Sequence, residues 1–323
     1  MGQHHARIFS GFHDVSLVAV CDTNLKTAKS LAKTYKTRYY LNHKELIKKE
    51  DLDAASIAVP TKYHLPVALD FIKERIPLLV EKPLADTSMA AKKIIDAARK
   101  KKVVLSVGHI ERYNPAIIQL QKIVSKKLLG EILSINIKRV GLFPTRVMDV
   151  SVLIDLAVHD LDIANTLVKR TPDFLYARGS GALTKGKYDH AEIFLDFKDF
   201  GCFIQVNWVT PIKIRQLSIT GTKGYAELNY LTQELLVYKS IYKISQPEGF
   251  KEFVIKFGNP KTRQVKVKNQ EPLKIELRNF IDSVKNKTKP NVSDKEALAA
   301  IILAEMAEKS IRTRKVLKYK LSI

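Results

Sequence analysis

Three groups of residues in this 323-residue chain have types and spacings that could do chemistry. The first is Glu81-Lys82-Pro83, which follows the apolar run from Ile76 to Val80. In an open α/β sheet, ligands lie outside the carboxyl ends of the strands, so a lysine just past a buried strand faces a crevice. Its ammonium can lower the pKa of a hydroxyl and stabilise the alkoxide that precedes hydride departure. The alternative is a solvated loop lysine. The second group is Asp155 and His159, four apart on a predicted helix, where side chains share a face. There a carboxylate could orient an imidazole for general-base work, or the two could form a structural hydrogen-bonded pair. The third is Gly2, ahead of a predicted helix from His4 to Phe9, with Asp22 closing the next strand twenty positions on. That is the second half of a dinucleotide fingerprint. A carboxylate at 22 would accept hydrogen bonds from ribose hydroxyls and repel a 2′-phosphate, favouring NAD over NADP, or it would cap the following helix. The histidines His4, His5, His109 and His159 lack the ligand spacing of a zinc site, so no metal is expected.

These residues need elements to hold them. Up to Gly108, apolar strands alternate with amphipathic helices. Strands are expected at Val15–Cys21, Ala54–Val59, Ile76–Val80 and Val103–Val107. A helix ending at Tyr35 carries apolar residues at 25, 28, 31, 32 and 35, and another, capped by Thr87, turns Ala90, Ala91, Ile94, Ile95 and Ala98 inward. This pattern is an α/β parallel sheet covered on both faces. After Asn114-Pro115 the character changes. Helices are expected to about Leu128 and from about Ser151 to Val168, then strands with period-two alternation, and two helices near the end. The second of those helices opens with the capping box Ser293-Asp294-Lys295-Glu296. The expected division is a nucleotide-binding domain over 1–112 and an α+β domain with a mostly antiparallel sheet over 113–323. Phe194, Phe203 and Val209 lie opposite the inward positions of their strands, an apolar face suited to a second copy of the chain.

Composition narrows the class. The net charge is +22, yet the lysines are spread over helix surfaces, as Lys26, Lys29, Lys33 and Lys36 show. A solvated surface is therefore expected rather than a nucleic-acid patch, and its field would attract an anionic substrate. No apolar run approaches the ~20 residues of a membrane span. Cys21 and Cys202, far apart in sequence, read as free thiols of a reducing cytosol, and a cytoplasmic location is expected.

Taken in order, these pieces resemble the glucose-fructose oxidoreductase / inositol dehydrogenase (Gfo/Idh/MocA) family across essentially the whole chain. The residues that carry the resemblance are Met1-Gly2-Gln3-His4-His5-Ala6, Asp22, Ala58-Val59-Pro60-Thr61 with His64, Glu81-Lys82-Pro83, Gly108-His109 and Asp155-x-x-x-His159. It implies a Rossmann domain followed by an open-faced sheet domain. It further implies NAD contacts at Gly2, Gln3, His4, Asp22, Thr23, Pro60, Thr61, His64, Glu81, Lys82 and His109, and catalysis by Lys82, His159 and Asp155. The runs Val107–Pro115, Arg139-Val140-Gly141 with Phe143-Pro144, and Asn207–Pro211 resemble the branch that oxidises C3 of UDP-N-acetylglucosamine. That branch implies contacts to a diphosphate or sugar from Arg112, Tyr113, Asn114 and Arg146, while the apolar sheet face described above gives the expectation of a homo-oligomer. The family's first strand and the first two glycines of its turn do not match anything here. The expectation is an upstream start, and a gap between the second and fourth strands of the parallel sheet in the chain as written.

Overall fold

The computed structural model describes residues 1–143, 151–183, 186–239 and 261–320. They form two compact units. The first comprises Met1–Ile110 together with Glu271–Ile301, and the second Glu111–Gln270 with Ile302–Ile323.

In the first unit α1 (Gly2–Ser10) is followed by β1 (Ala19–Cys21), α2 (Leu25–Tyr35), β2 (Arg38–Tyr40), α3 (His43–Lys49) and β3 (Ala55–Ile57). Then come α4 (His64–Lys73), β4 (Leu78–Glu81), α5 (Ser88–Lys101) and β5 (Leu105–Gly108). The helix starts follow local chemistry. The side chains of Asn24 and Thr87 accept hydrogen bonds from Thr27 N and Ala90 N, filling the orphan donors of α2 and α5. Ala90, Ala91, Ile94, Ile95 and Ala98 are buried as their spacing requires.

The parallel sheet is in two pieces, β1-β2 and β3-β4-β5. It breaks where the resemblance expects a gap, so β1 and β3 each pair on one side only. Both are three residues long, shorter than their apolar runs, and most of their side chains are half-buried. The four residues of β4, flanked by strands on both sides, are all buried. A strand lacking a neighbour keeps unpaired backbone groups and loses cover for its side chains.

The Glu271–Ile301 segment departs from the expected cut at 112/113. Its helix Pro272–Lys285 supplies Leu273, Leu277 and Phe280 to a cluster with Ile8, Phe9 and Phe12 on or just after α1 and Leu79 of β4. Each such buried side chain contributes roughly 1.5–3 kcal/mol. Around the cluster Arg7 pairs with Glu271, and Arg278 and Lys285 both reach Asp14, at 2.7 and 2.6 Å. The apolar stripe of α1 needs a cover, and this late segment provides it.

The second unit is built on a nine-stranded sheet: β6 (Ile132–Leu142), β7 (Phe174–Ser180), β8 (His190–Asp196), β9 (Gly201–Asn207), β10 (Val209–Gly221), β11 (Gly224–Asn229), β12 (Glu234–Lys239), β13 (Lys261–Gln264) and β14 (Leu317–Lys318). Their order is β13-β12-β11-β10-β6-β9-β8-β7-β14. Among the described residues the pairings in this sheet are antiparallel apart from the parallel β6–β9 pair. One face packs Ile135, Ile137, Ile193, Leu195, Ile204, Val206, Leu217 and Ile219 in a core with residues of α6 (Pro115–Ser125) and α7 (Val158–Val168). On the other face Phe194 and Phe203 are directly paired across β8 and β9 and remain 47% and 41% exposed.

Candidate active site

Lys82 follows the last residue of β4 and is half-buried between the buried Glu81 and Pro83. Its peptide to Pro83 is cis. Glu81, expected to touch the cofactor, is buried. Its Oε1 lies 2.9 Å from His5 Nε2, and its Oε2 accepts the Lys82 N–H at 3.2 Å. His64, also expected at the cofactor, is only 1% exposed. Its Nδ1 and Nε2 each lie 2.9 Å from a carbonyl, of Pro83 and Val59 respectively. In both residues the polar atoms are engaged within the first unit. Burial, against those carbonyls, also lowers the His64 pKa from its ordinary value.

The nucleotide-side positions lie open. Gly2, Gln3 and His4 form the exposed first turn of α1, which has no side-chain cap and no acidic residue. His4 N and His5 N both donate to Met1 O, and the N–H groups of Gly2 and Gln3 are the kind of first-turn donors that an anion can use. Asp22 is not the cap of α2, since Asn24 does that work. The Asp22 Oδ1 accepts the Asn24 N–H at 2.8 Å, which orients the carboxylate at the end of β1. Thr23 is exposed beside it, and Pro60 and Thr61 open a short 3₁₀ turn after β3. His109 is buried after β5. An uncapped helix start, an oriented carboxylate and an exposed loop past successive strand ends fit a dinucleotide.

In the second unit, residues 153–157 wind as a π-helical turn leading into α7. Asp155 is half-buried in this turn and His159 is buried in the first turn of α7. The regular α-helical spacing expected for the pair is thus replaced by a wider local turn, a feature common at functional sites. Three of the four residues expected to hold substrate lie among the described residues. Arg112 makes a buried bidentate pair with Asp162 of α7, Nε to Oδ2 at 2.7 Å and Nη2 to Oδ1 at 2.5 Å. Asn114 caps α6 through Oδ1 and donates Nδ2 to Tyr230 O at 3.1 Å. Tyr113 is 3% exposed. Arg146 lies outside the described residues.

Sequence reasoning did not single out two charged clusters. His5 sits on the buried face of α1 with Ile8 and Phe9, and that spacing was the available signal. Arg139 of β6 is 4% exposed, donates to both oxygens of Asp160 at 2.9 Å and to Glu111 at 2.7 Å, and lies 5.0 Å from the centre of the Tyr230 ring. Burial opposes its charge, but Asp160 and Glu111 outweigh burial and raise its pKa. Burial pushes the Asp160 carboxyl up to about 6 even with Arg139 pulling it down. Among the described residues no cluster of three or more His, Cys, Asp or Glu could hold a metal, and no helix is long and apolar enough to cross a membrane.

Residues 1–109 match the model of an oxidoreductase family with an NAD-binding Rossmann fold, and residues 117–227 match the GFO/IDH/MocA C-terminal domain. The chain belongs to the Gfo/Idh/MocA family. It is an NAD-dependent dehydrogenase acting on CH–OH groups, with a Rossmann-type parallel sheet and a mostly antiparallel sheet in its second unit. One family relative is the UDP-N-acetylglucosamine 3-dehydrogenase of Acidithiobacillus ferrooxidans, 28% identical over 74% of each chain. An inositol 2-dehydrogenase of Rubrobacter xylanophilus is 27% identical over 57% of this chain and 54% of that one. A solved structure of the A. ferrooxidans enzyme shares the fold with a TM-score of 0.84, covering 96% of this chain and 94% of the other at 23% identity.

Proposed function

We propose that this dehydrogenase oxidises a secondary hydroxyl of a sugar, specifically C3 of UDP-N-acetylglucosamine, to the 3-keto sugar. The observation that carries the reading is Lys82, held half-buried at the carboxyl end of a fully buried strand in a Rossmann unit. The 28% relative that acts on UDP-N-acetylglucosamine supports the choice of substrate. NAD, when bound, accepts the hydride that leaves the oxidised carbon. The N–H groups of Gly2 and Gln3 would hold its pyrophosphate and Asp22 its adenine ribose, with Pro60 and Thr61 as further contacts. Lys82 steadies the oxyanion developing on the hydroxyl oxygen, and the family resemblance gives the transfer of the hydroxyl proton to Lys82 or to His159, with Asp155 as the third residue of the set. The scattered positive charge draws an anionic nucleotide sugar toward the protein.

The same machinery serves a second reading, in which the substrate is an inositol or another sugar, favoured by the inositol dehydrogenase relative. NADH formation by the purified chain against a panel of UDP-sugars, free sugars and inositols separates the two. Turnover confined to inositols or free sugars would overturn the UDP-sugar assignment. The reading also includes a homo-oligomer built on the outer sheet face around Phe194 and Phe203, and a cytoplasmic location consistent with the two free cysteines.

A further inference from the structure

Two buried histidines of the first unit end on the peptide that carries Lys82. His5, 2% exposed, places Nδ1 2.7 Å from Ser56 Oγ and Nε2 2.9 Å from Glu81 Oε1. A carboxylate can only accept, so Nε2 carries a proton and donates it to Glu81, with Ser56 Oγ as the hydrogen-bond partner of Nδ1. One ring thereby joins α1 to the middle of β3 and the end of β4. The other Glu81 oxygen accepts the N–H of Lys82 itself. The carboxylate has room for this because residue 108 is glycine: a Cβ there would lie 3.0 Å from Glu81 Oε2 and 3.1 Å from Glu81 Cα. On the far side of Lys82, His64 spans the carbonyls of Pro83 and Val59. The chain is held at 81, 82 and 83, while the Lys82 side chain alone is left half-buried.

We infer that His5 and His64 are positioning residues for Lys82: they brace its peptide from both sides, His5 through the Glu81 carboxylate and His64 through the Pro83 carbonyl. The inference rests on the reading that Lys82 acts on substrate. A catalytic group must be held within about half an ångström of its working place, and a misplacement of about 1 Å can cost on the order of a hundredfold in rate.

The test compares wild type, His5→Ala, His5→Gln, His64→Ala and Lys82→Ala by steady-state kinetics and by amide hydrogen exchange. A glutamine amide can still donate to Glu81. His5→Ala and His64→Ala should each lower kcat by about tenfold or more, with sugar KM changed less than about threefold, and His5→Gln should recover most of the loss. Exchange at the Lys82 amide should quicken in His5→Ala while the amides of α5 and β5 stay protected. Alanine variants with kcat within about twofold of wild type, or equal losses in His5→Ala and His5→Gln, would overturn the brace. So would exchange rising evenly through the unit. A wild type that oxidises no sugar, or a Lys82→Ala variant as active as wild type, would instead overturn the functional reading. The exchange pattern would still decide whether the brace exists.

Discussion

Asp22 and Asn24 stand two residues apart and divide two tasks that the sequence alone leaves on one residue. Asn24 caps α2, and its own N–H fixes one oxygen of Asp22, so the Asp22 carboxylate is oriented without being used as the cap. The protein is therefore expected to use NAD clearly better than NADP. Asp22→Ala should narrow that gap, because ribose acceptor and 2′-phosphate repulsion are lost together. The ratio of kcat/KM for the two cofactors measures it, and an unchanged ratio would remove Asp22 from cofactor choice. Lys82→Ala should lower turnover by about two orders of magnitude with NAD affinity retained, the loss typical of one missing oxyanion partner. At this scale the placement of a side chain was legible where it follows from neighbours in the chain, as for Lys82 after its strand. The ion pair of Arg112 was not legible, because its partner Asp162 lies fifty positions away.

Elements were recovered where caps and apolar stripes agree, as in α2 and α5, and misjudged where tertiary context set their length. β1 and β3 are shorter than their apolar runs because each pairs on one side only. The π turn at 153–157 has no local signature in a run as apolar as Val152-Leu153-Ile154. α7 is held to the sheet by the buried Arg139–Asp160 pair. Arg139→Met should cost about 3–5 kcal/mol by leaving Asp160 and Glu111 uncompensated. Arg139→Met with Asp160→Leu should regain part of that in denaturant midpoint. His64 gives α4 a pH dependence. Its folded pKa lies below its unfolded value of 6.5, so the unfolded chain takes up the proton first. Its contribution is intact at higher pH and is lost as pH falls below the unfolded value. The thermal midpoint of wild type should fall on moving from about pH 7.5 to about pH 5.5 by more than that of His64→Gln. A fall of equal size in both would refute this. Asp160, raised by burial, pulls the other way, but it is common to both proteins and cancels in the difference.

At the scale of the whole molecule, alternation of strands and helices located the junction near residue 112 but not the return of Glu271–Ile301 to the first unit. Nothing in that segment names its partner; only the folded chain shows α1 lacking a cover until Leu277 and Phe280 supply one. The exposed, cross-strand Phe194 and Phe203 are expected to be covered by a second copy of the chain. Phe203→Arg should then lower the mass seen by light scattering toward that of one chain, and a wild type already monomeric at micromolar concentration would contradict the proposed assembly. The central claim is oxidation of a nucleotide sugar through Lys82. It is tested most directly by following NADH formation with UDP-N-acetylglucosamine in wild type and Lys82→Ala side by side. Wild type should produce NADH steadily, and the variant should lose about a hundredfold or more of that rate. No NADH from wild type, or equal rates in the two proteins, would contradict it.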